Sequence, residues 1–198
     1  MADHPNPDGT VDLGPQARLL ARLAEQVEDT HLDAPTPCPE YAVRNLLGHI
    51  GGLAVAFRDA ARKVSGPTTD TAPGGALPEL DADWRTQLPK ALDELAAAWR
   101  DPDAWQGETR AGGLTLPAAV MAHVAVDELV VHGWDLARAT GQEYAPDPAC
   151  LAVAYGFLDQ SRAPESRGTI FGPVVDVPDA APLLDRAIGL SGRHPDWT

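Results

Sequence analysis

Apolar residues recur with a helical period in four long stretches of this chain, and this periodicity is the strongest constraint on its fold. In the first stretch the intervals are three and four residues, at Leu13, Ala17, Leu20, Ala24 and Val27. Such a stripe is typical of an amphipathic helix with one face on a core. The same pattern recurs at residues 40–63, 84–99 and 117–141. Four such helices in a chain of 198 residues predict an all-α fold built as a four-helix bundle.

Segments rich in proline and glycine separate these helices. Proline lacks a backbone donor and disfavours helix in the residue before it. We therefore predict loops at 31–39, 65–80 and 101–117, of which the second is a flexible connection and the third a long turn. A fifth helix is predicted at 148–161, after the bundle.

The two ends of the chain complete the predicted organisation. Residues 1–10 are polar and include two prolines, which predicts a flexible N-terminal tail. Residues 11–198 are expected to form a single domain. Its last part, 166–198, is a C-terminal extension that we expect to pack on the bundle through an extended segment at 171–178 and a short helix at 179–191.

The charge of the chain excludes some classes of partner. A net charge of -14 gives a surface that repels phosphate backbones and anionic lipid headgroups, so neither nucleic acid nor membrane is expected as a partner. No apolar run approaches the roughly 18 residues needed to span a bilayer, and the N-terminus has no signal-peptide pattern. These features predict a cytoplasmic protein. Cys38 and Cys150 lie far apart without a CxxC pattern, which is typical of reduced thiols.

Three polar residues share the apolar stripe of the fourth predicted helix. At about 100° per residue, Glu128, His132 and Asp135 lie within roughly 40° of one direction, on the side that also carries Met121 and Val124. A carboxylate buried without a partner is costly, so such a residue inside a bundle must be paired or bound to metal. The alternative is an exposed contact between Glu128 and His132, worth a few tenths of a kcal/mol.

The second predicted helix supplies a further imidazole. His49 lies on the side that carries Leu46 and Leu53, in the run NLLGHIGG, whose glycines at 51 and 52 allow close backbone approach. Two imidazoles and a carboxylate from two helices can form a compact metal site with open coordination positions, suited to zinc, iron(II) or another divalent ion. A histidine satisfied within the core is the alternative for His49.

Other residues near these positions have simpler interpretations. His123 lies about 140° from Glu128 around the helix, which predicts a solvent-facing or packing role. Trp134 is also rotated away from the site and is expected to pack between helices. Cys38 lies between prolines just before a helix, and we interpret it as a structural cysteine and not a nucleophile. For Asp135, orientation of a metal ligand and an ordinary salt bridge remain equal alternatives.

Three segments of the sequence resemble blocks of a known family. They are TPCPEYAVRNLLGHI, ELVVHGWDLARATGQ and FGPVVDVPDAAPLLDRAIGLSGRHPDW. The resemblance, over about residues 13–197, is to the metal-binding N-terminal domain of mycothiol-dependent maleylpyruvate isomerase and its uncharacterised single-domain relatives, within the DinB-like superfamily. It implies a bundle that holds a divalent metal through His49, Glu128 and His132. Tyr41 stands where the family often has tryptophan, which keeps an aromatic packing residue there.

The resemblance also implies an activity. Family members with known activity are typically thiol-dependent transferases or isomerases, in which the metal would activate a small thiol such as mycothiol. For this chain we expect the metal to be zinc, with nickel or iron as the alternatives. The partners are then that thiol and an electrophilic substrate, and the protein is expected to be a monomer or a homodimer. The alternative function is a non-catalytic protein of the same fold that binds metal or a small ligand for sensing or regulation.

One departure from the family affects the expected substrate. The isomerase has a second, C-terminal domain, and we expect this chain to replace it with only the extension at 166–198. Maleylpyruvate is then not the expected substrate. Arg167 is the nearest candidate in this extension to receive an anionic substrate group through a bidentate contact. The alternative is a surface arginine without specific contacts.

Overall fold

The computed structural model of the protein describes residues 9–72, 76–167 and 171–198. Its helices are α1 Gly14–Glu25, α2 Val43–Ala61, α3 Pro67–Asp70, α4 Trp84–Trp99, α5 Ala118–Ala139, α6 Pro148–Gln160, α7 Pro164–Arg167 and α8 Leu183–Leu190. Its strands are β1 Glu108–Ala111 and β2 Leu114–Pro117. Most of the predicted N-terminal tail, residues 1–8, lies outside the described residues.

The long helices α1, α2, α4 and α5 form a four-helix bundle. Helix α1 contacts α4 and α5, and α2 contacts the same two helices from the other side, so the four surround one apolar core. The most deeply buried aliphatic side chains of this core include Leu20, Leu46, Leu92, Val126 and Val130. Burying a side chain of this kind contributes about 1.5–3 kcal/mol, which favours helices that present such a stripe. The predicted all-α bundle is confirmed.

The prediction of a turn at 101–117 is wrong in part, because the segment contains a β-hairpin. Strands β1 and β2 pair antiparallel, with Ala111 opposite Leu114. The two residues between them are Gly112 and Gly113, with φ of 58° and 76°. Two consecutive residues with positive φ are what a tight two-residue hairpin turn requires. Strand β1 packs against α2 and α5, so the hairpin closes one end of the bundle.

The connection predicted to be flexible at 65–80 is held to the bundle at both of its described parts. Helix α3 lies in it and contacts α2. Nearer α4, the side-chain amide of Asn45 donates to the carbonyl oxygen of Pro78 at 3.0 Å. The residues between these points, 73–75, lie outside the described part of the chain.

The C-terminal part of the chain packs on the outside of the bundle. Helix α6 begins after Asp147, whose carboxylate caps the backbone N–H groups of Ala149 and Cys150. It packs on α5, and α8 packs on α6. A second apolar cluster joins these three helices, formed by Val131, Leu158, Ala187 and Leu190. Helix α8 begins at Leu183, four residues later than the predicted final helix, after Pro182.

None of the helices described has the length and apolar character that a bilayer crossing requires.

Close backbone approach in α2 occurs at Gly48, and not at the glycines predicted from the sequence. A Cβ atom on Gly48 would lie 2.4 Å from the carbonyl oxygen of Glu79. At Gly52 a Cβ atom would meet nothing within 4 Å, and at Gly51 only a Leu88 methyl at 3.9 Å. The segment before α4 therefore lies directly on α2, one residue before His49.

We expect opposite effects from two alanine substitutions in α2. Gly48→Ala should lower the free energy of unfolding by roughly 1–3 kcal/mol, because the added methyl group must displace backbone atoms. Gly52→Ala should raise it by roughly 0.5–1 kcal/mol, since alanine is the better helix former and nothing obstructs it. Urea unfolding followed by circular dichroism measures both. Equal effects of the two substitutions would contradict the close packing at Gly48.

Candidate metal centre

The structure brings together the three residues whose helical angles predict a common site. His49 lies on α2, and Glu128 and His132 lie one turn apart on α5. Their ligand atoms all lie within 4.8 Å of one another. Glu128 Oε2 is 2.9 Å from His132 Nε2 and 3.8 Å from His49 Nε2. The carboxylate therefore lies between the two imidazoles.

One side of this cluster is open to solvent. The side chains of His49 and Glu128 are 23% and 21% exposed, whereas that of His132 is 8% exposed. The ring of His49 lies between two others, with its centroid 4.8 Å from that of His132 and 5.4 Å from that of Tyr41. Tyr41 thus packs at the rim of the site. The cluster is a half-enclosed group of donors that small molecules can reach.

Charge in the cluster is balanced by hydrogen bonds. Burial opposes the ionised form of Glu128, but its contacts with His132 at 2.9 Å and with His49 at 3.8 Å outweigh burial and hold the pKa of Glu128 well below its usual range. Burial likewise opposes the charged form of His132. Its contacts with Asp135 and Glu128 prevail and raise the pKa of His132 to about 9. The carboxylate of Glu128 is therefore ionised and lies between the two imidazoles.

Asp135 lies behind His132, on the side away from the cluster. Its Oδ2 atom is 2.9 Å from Nδ1 of His132, and its side chain is fully buried. With Nδ1–H donated to Asp135, Nε2 is the atom of His132 that faces Glu128 and His49. A carboxylate behind a histidine in this way fixes the tautomer and the ring orientation of metal-binding histidines.

Comparison with known proteins identifies the family. The sequence profile of the mycothiol maleylpyruvate isomerase N-terminal domain matches residues 13–137, a range that contains His49, Glu128, His132 and Asp135. This chain belongs to that family. The predicted resemblance is confirmed by this match, which covers α1, α2, α4 and all but the last two residues of α5.

Two further comparisons show which proteins the chain is similar to. An uncharacterized protein of Mycobacterium tuberculosis, in strains CDC 1551 and H37Rv, is 29% identical over 182 residues, which cover 88% of this chain and 91% of the relative. Among solved structures, the mycothiol-dependent maleylpyruvate isomerase superposes with a TM-score of 0.60 at 18% identity, and a mutant of it with 0.56. At that identity the similarity shows a shared fold.

The structural match extends beyond the part of the chain that the family profile covers. The superposition covers 92% of this chain and 87% of the isomerase chain. The shared fold therefore includes part of residues 138–198, which follow the profile match. The predicted organisation as a single domain with a C-terminal extension at 166–198 remains a prediction.

Arg193 is the residue of this site that the sequence analysis missed. Its guanidinium donates from Nε to Asp135 Oδ1 at 3.1 Å and from Nη2 to Asp135 Oδ2 at 2.9 Å. The two residues are 58 positions apart, so no local pattern joins them. The available signal was indirect: an aspartate on an apolar stripe requires a cation. The sequence does not say which arginine provides it.

Arg167 is placed differently from both expectations for it. Its side chain is buried and donates to the carbonyl oxygens of Gly172 at 2.7 Å, Leu190 at 2.8 Å and Ser161 at 3.3 Å. A guanidinium with these contacts neither receives a substrate anion nor lies free on the surface. Arg167 instead holds α6, the segment after α7 and the end of α8 together.

The other residues considered in the sequence have packing roles. Trp134 is buried, and His123 is half-buried with its ring 6.3 Å from that of Trp105. Both cysteines are free thiols. Burial, with a smaller contribution from Asp135, raises the pKa of Cys38 to about 11, and burial raises that of Cys150 further. Neither thiol is therefore prepared to act as a nucleophile at neutral pH.

We expect slow alkylation of Cys38 in the folded protein. A pKa of about 11 in place of 9.0 leaves about 100-fold less thiolate at pH 8. Iodoacetamide labelling read by mass spectrometry should be slower than in urea-unfolded protein by one to two orders of magnitude, and Cys150 should label last. Labelling of folded Cys38 as fast as that of the unfolded chain would show that this thiol is activated.

Proposed function

We propose that this protein binds a divalent metal, zinc, through His49, Glu128 and His132. We further propose that it uses the metal in a transferase or isomerase reaction that depends on a small thiol, mycothiol. The observation that carries the proposal is the convergence of two imidazoles and one carboxylate within 4.8 Å on the inner faces of α2 and α5. Membership of a family whose described member is a mycothiol maleylpyruvate isomerase supports the thiol and the reaction class.

The donor set suits zinc. Three protein ligands of nitrogen and oxygen type, with a further position left open, are characteristic of catalytic zinc sites. Ligand atoms bound to one zinc at about 2.0–2.2 Å lie roughly 3–4 Å apart. The separations of Glu128 Oε2 from the two histidine nitrogens, 2.9 and 3.8 Å, already fall near this range. The whole set lies within 4.8 Å, so binding requires the donors on α2 and α5 to close by about 1 Å.

The residues of the chain divide the work of such a site. Glu128 neutralises one of the two metal charges, and Asp135 fixes the orientation of His132. The exposed sides of His49 and Glu128, beside Tyr41, leave a path from solvent for a thiol. A bound zinc ion lowers the pKa of a coordinated thiol so that thiolate forms at neutral pH. Cys38 stays protonated and so does not compete as a thiolate.

Substitution of the proposed ligands tests metal binding directly. The purified wild-type protein should bind one zinc per chain, measured by elemental analysis after dialysis. His49→Ala and His132→Ala should lose stoichiometric binding but keep their helical circular dichroism, because core packing of the bundle supplies most of the folding energy. Glu128→Gln keeps the size and one acceptor oxygen, so we expect weaker binding. His123→Ala on the same helix α5 is the matched control and should keep one zinc.

Full zinc occupancy in either histidine variant would remove that residue from the ligand set. Unchanged affinity in Glu128→Gln would leave the glutamate with a structural role only.

Turnover separates catalysis from simple metal binding. Zinc-loaded protein with mycothiol and a panel of electrophiles, including maleylpyruvate, should consume thiol if the reaction is a transfer. It should instead convert one isomer into the other without net thiol consumption if the reaction is an isomerisation. His49→Ala should abolish either signal, and His123→Ala should not. Absence of turnover with every thiol and electrophile, in protein that holds its zinc, would favour the non-catalytic alternative of sensing or regulation.

A further inference from the structure

A continuous series of charged contacts joins the C-terminal segment to the candidate metal centre. Arg193 donates twice to Asp135, at 3.1 and 2.9 Å. Asp135 in turn lies 2.9 Å from Nδ1 of His132, whose Nε2 lies 2.9 Å from Glu128. The series thus runs from the segment after α8 into α5 and ends at the cluster. Arg193 is outside residues 13–137, the part that the family profile matches.

We infer that Arg193 is a positioning residue for the metal centre: it fixes the Asp135 carboxylate so that His132 donates from Nδ1 and presents Nε2 to Glu128 and His49. The part of the inference that concerns metal affinity rests on the proposed function. The part that concerns the orientation of His132 rests on the geometry alone. It assigns part of the site to the C-terminal segment, which therefore does more than pack on the bundle.

The geometry of the ion pair explains why an arginine is required. Both oxygens of Asp135 are engaged by one guanidinium, and a two-point contact of this kind prevents the carboxylate from rotating. The Asp135 side chain is 0% exposed and that of Arg193 is 14% exposed, so water does not provide an alternative partner. Without the two-point contact the carboxylate is free to rotate. Rotation moves Oδ2 away from Nδ1 of His132 and so removes the acceptor that orients the ring.

The local backbone presets the arginine. Helix α8 ends at Leu190, and Gly192 follows with φ of 88°, a conformation that glycine adopts without strain. A Cβ atom on Gly192 would lie 3.0 Å from the carbonyl oxygen of Gly172. The backbone N–H of Arg193 donates to the carbonyl oxygen of Ile188 at 3.1 Å. Nη1 of its guanidinium donates to the carbonyl oxygen of Ser191 at 3.2 Å. The direction of the side chain is therefore set by the end of α8.

The test compares two arginines that both anchor the C-terminal segment. Arg193→Met removes the contact with Asp135, and Arg193→Lys keeps the charge but not the two-point geometry. Arg167→Met is the matched control, because Arg167 holds the same segment through carbonyl oxygens and has no contact with Asp135 among those described. The first measurement is the NMR signal of the His132 Nδ1 proton, in metal-free and in zinc-loaded protein. The second is zinc affinity by competition with a chelating dye.

In the wild type we expect a slowly exchanging Nδ1 proton, assigned by its absence in His132→Ala. Arg193→Met should lose this signal through fast exchange, and its zinc affinity should fall about 10- to 100-fold, as for other residues that orient a metal ligand. Arg193→Lys should give an intermediate result. Arg167→Met should lower the melting temperature but keep both the proton signal and the zinc affinity.

Two results would overturn the inference. One is an unchanged proton signal in Arg193→Met. The other is an equal loss of zinc affinity in Arg167→Met, which would mean that the whole segment matters and not the ion pair.

A second variant is needed if Arg193→Met does not fold. The double variant Arg193→Met with Asp135→Asn removes the buried charge, so it should fold and still lack the slowly exchanging proton. Recovery of that proton would contradict the inference. If the wild type binds no zinc, the proposed function fails, while the metal-free spectra still decide the role of Arg193.

Discussion

The packing of α2 against α5 is the contact on which the candidate site depends, because it places His49 beside Glu128 and His132. Neither helix carries the cluster alone, since α5 supplies one imidazole and one carboxylate and α2 supplies the second imidazole. The contact is made by the apolar stripes that form the core, with Leu46 on one helix and Val126 and Val130 on the other fully buried. The energy that folds the bundle is therefore also the energy that brings the donors together.

Two aspartates on α5 show how strongly a partner decides the state of a buried acid. Asp135 is fully buried, yet Arg193 and His132 outweigh the effect of burial and keep its pKa below the usual range. Asp127, one residue before Glu128, is also buried. One of its oxygens has no hydrogen-bond partner among the residues described. Burial and the neighbouring Glu128 raise the pKa of Asp127 well above its usual range. The two residues have the same side chain and opposite preferences for the proton, and the difference between them is that Asp135 has hydrogen bonds with Arg193 and His132.

The periodicity of the sequence predicted the features that depend on local spacing. The four bundle helices and α6 lie within a few residues of their predicted ranges, and the angular positions of Glu128, His132 and Asp135 on one face agree with their placement. Features that depend on contacts between distant segments were not predicted. Gly48 meets Glu79, Arg167 meets three carbonyl groups and Arg193 meets Asp135, and in each case the partner lies on another element. The hairpin was missed for a different reason, because its Gly112–Gly113 turn signal was interpreted as loop composition.

The separation of Arg193 from Asp135 along the chain has a consequence for biosynthesis. The two residues are 58 positions apart, and a ribosome adds about 5–20 residues per second. The aspartate is thus made about 3–12 s before the arginine that neutralises it. Helices α1, α2 and α4 are already present in the nascent chain at that time, but Asp135 does not yet have the guanidinium that pairs with it. The ion pair between Asp135 and Arg193 is therefore a late contact, which forms only after the C-terminal segment has been translated.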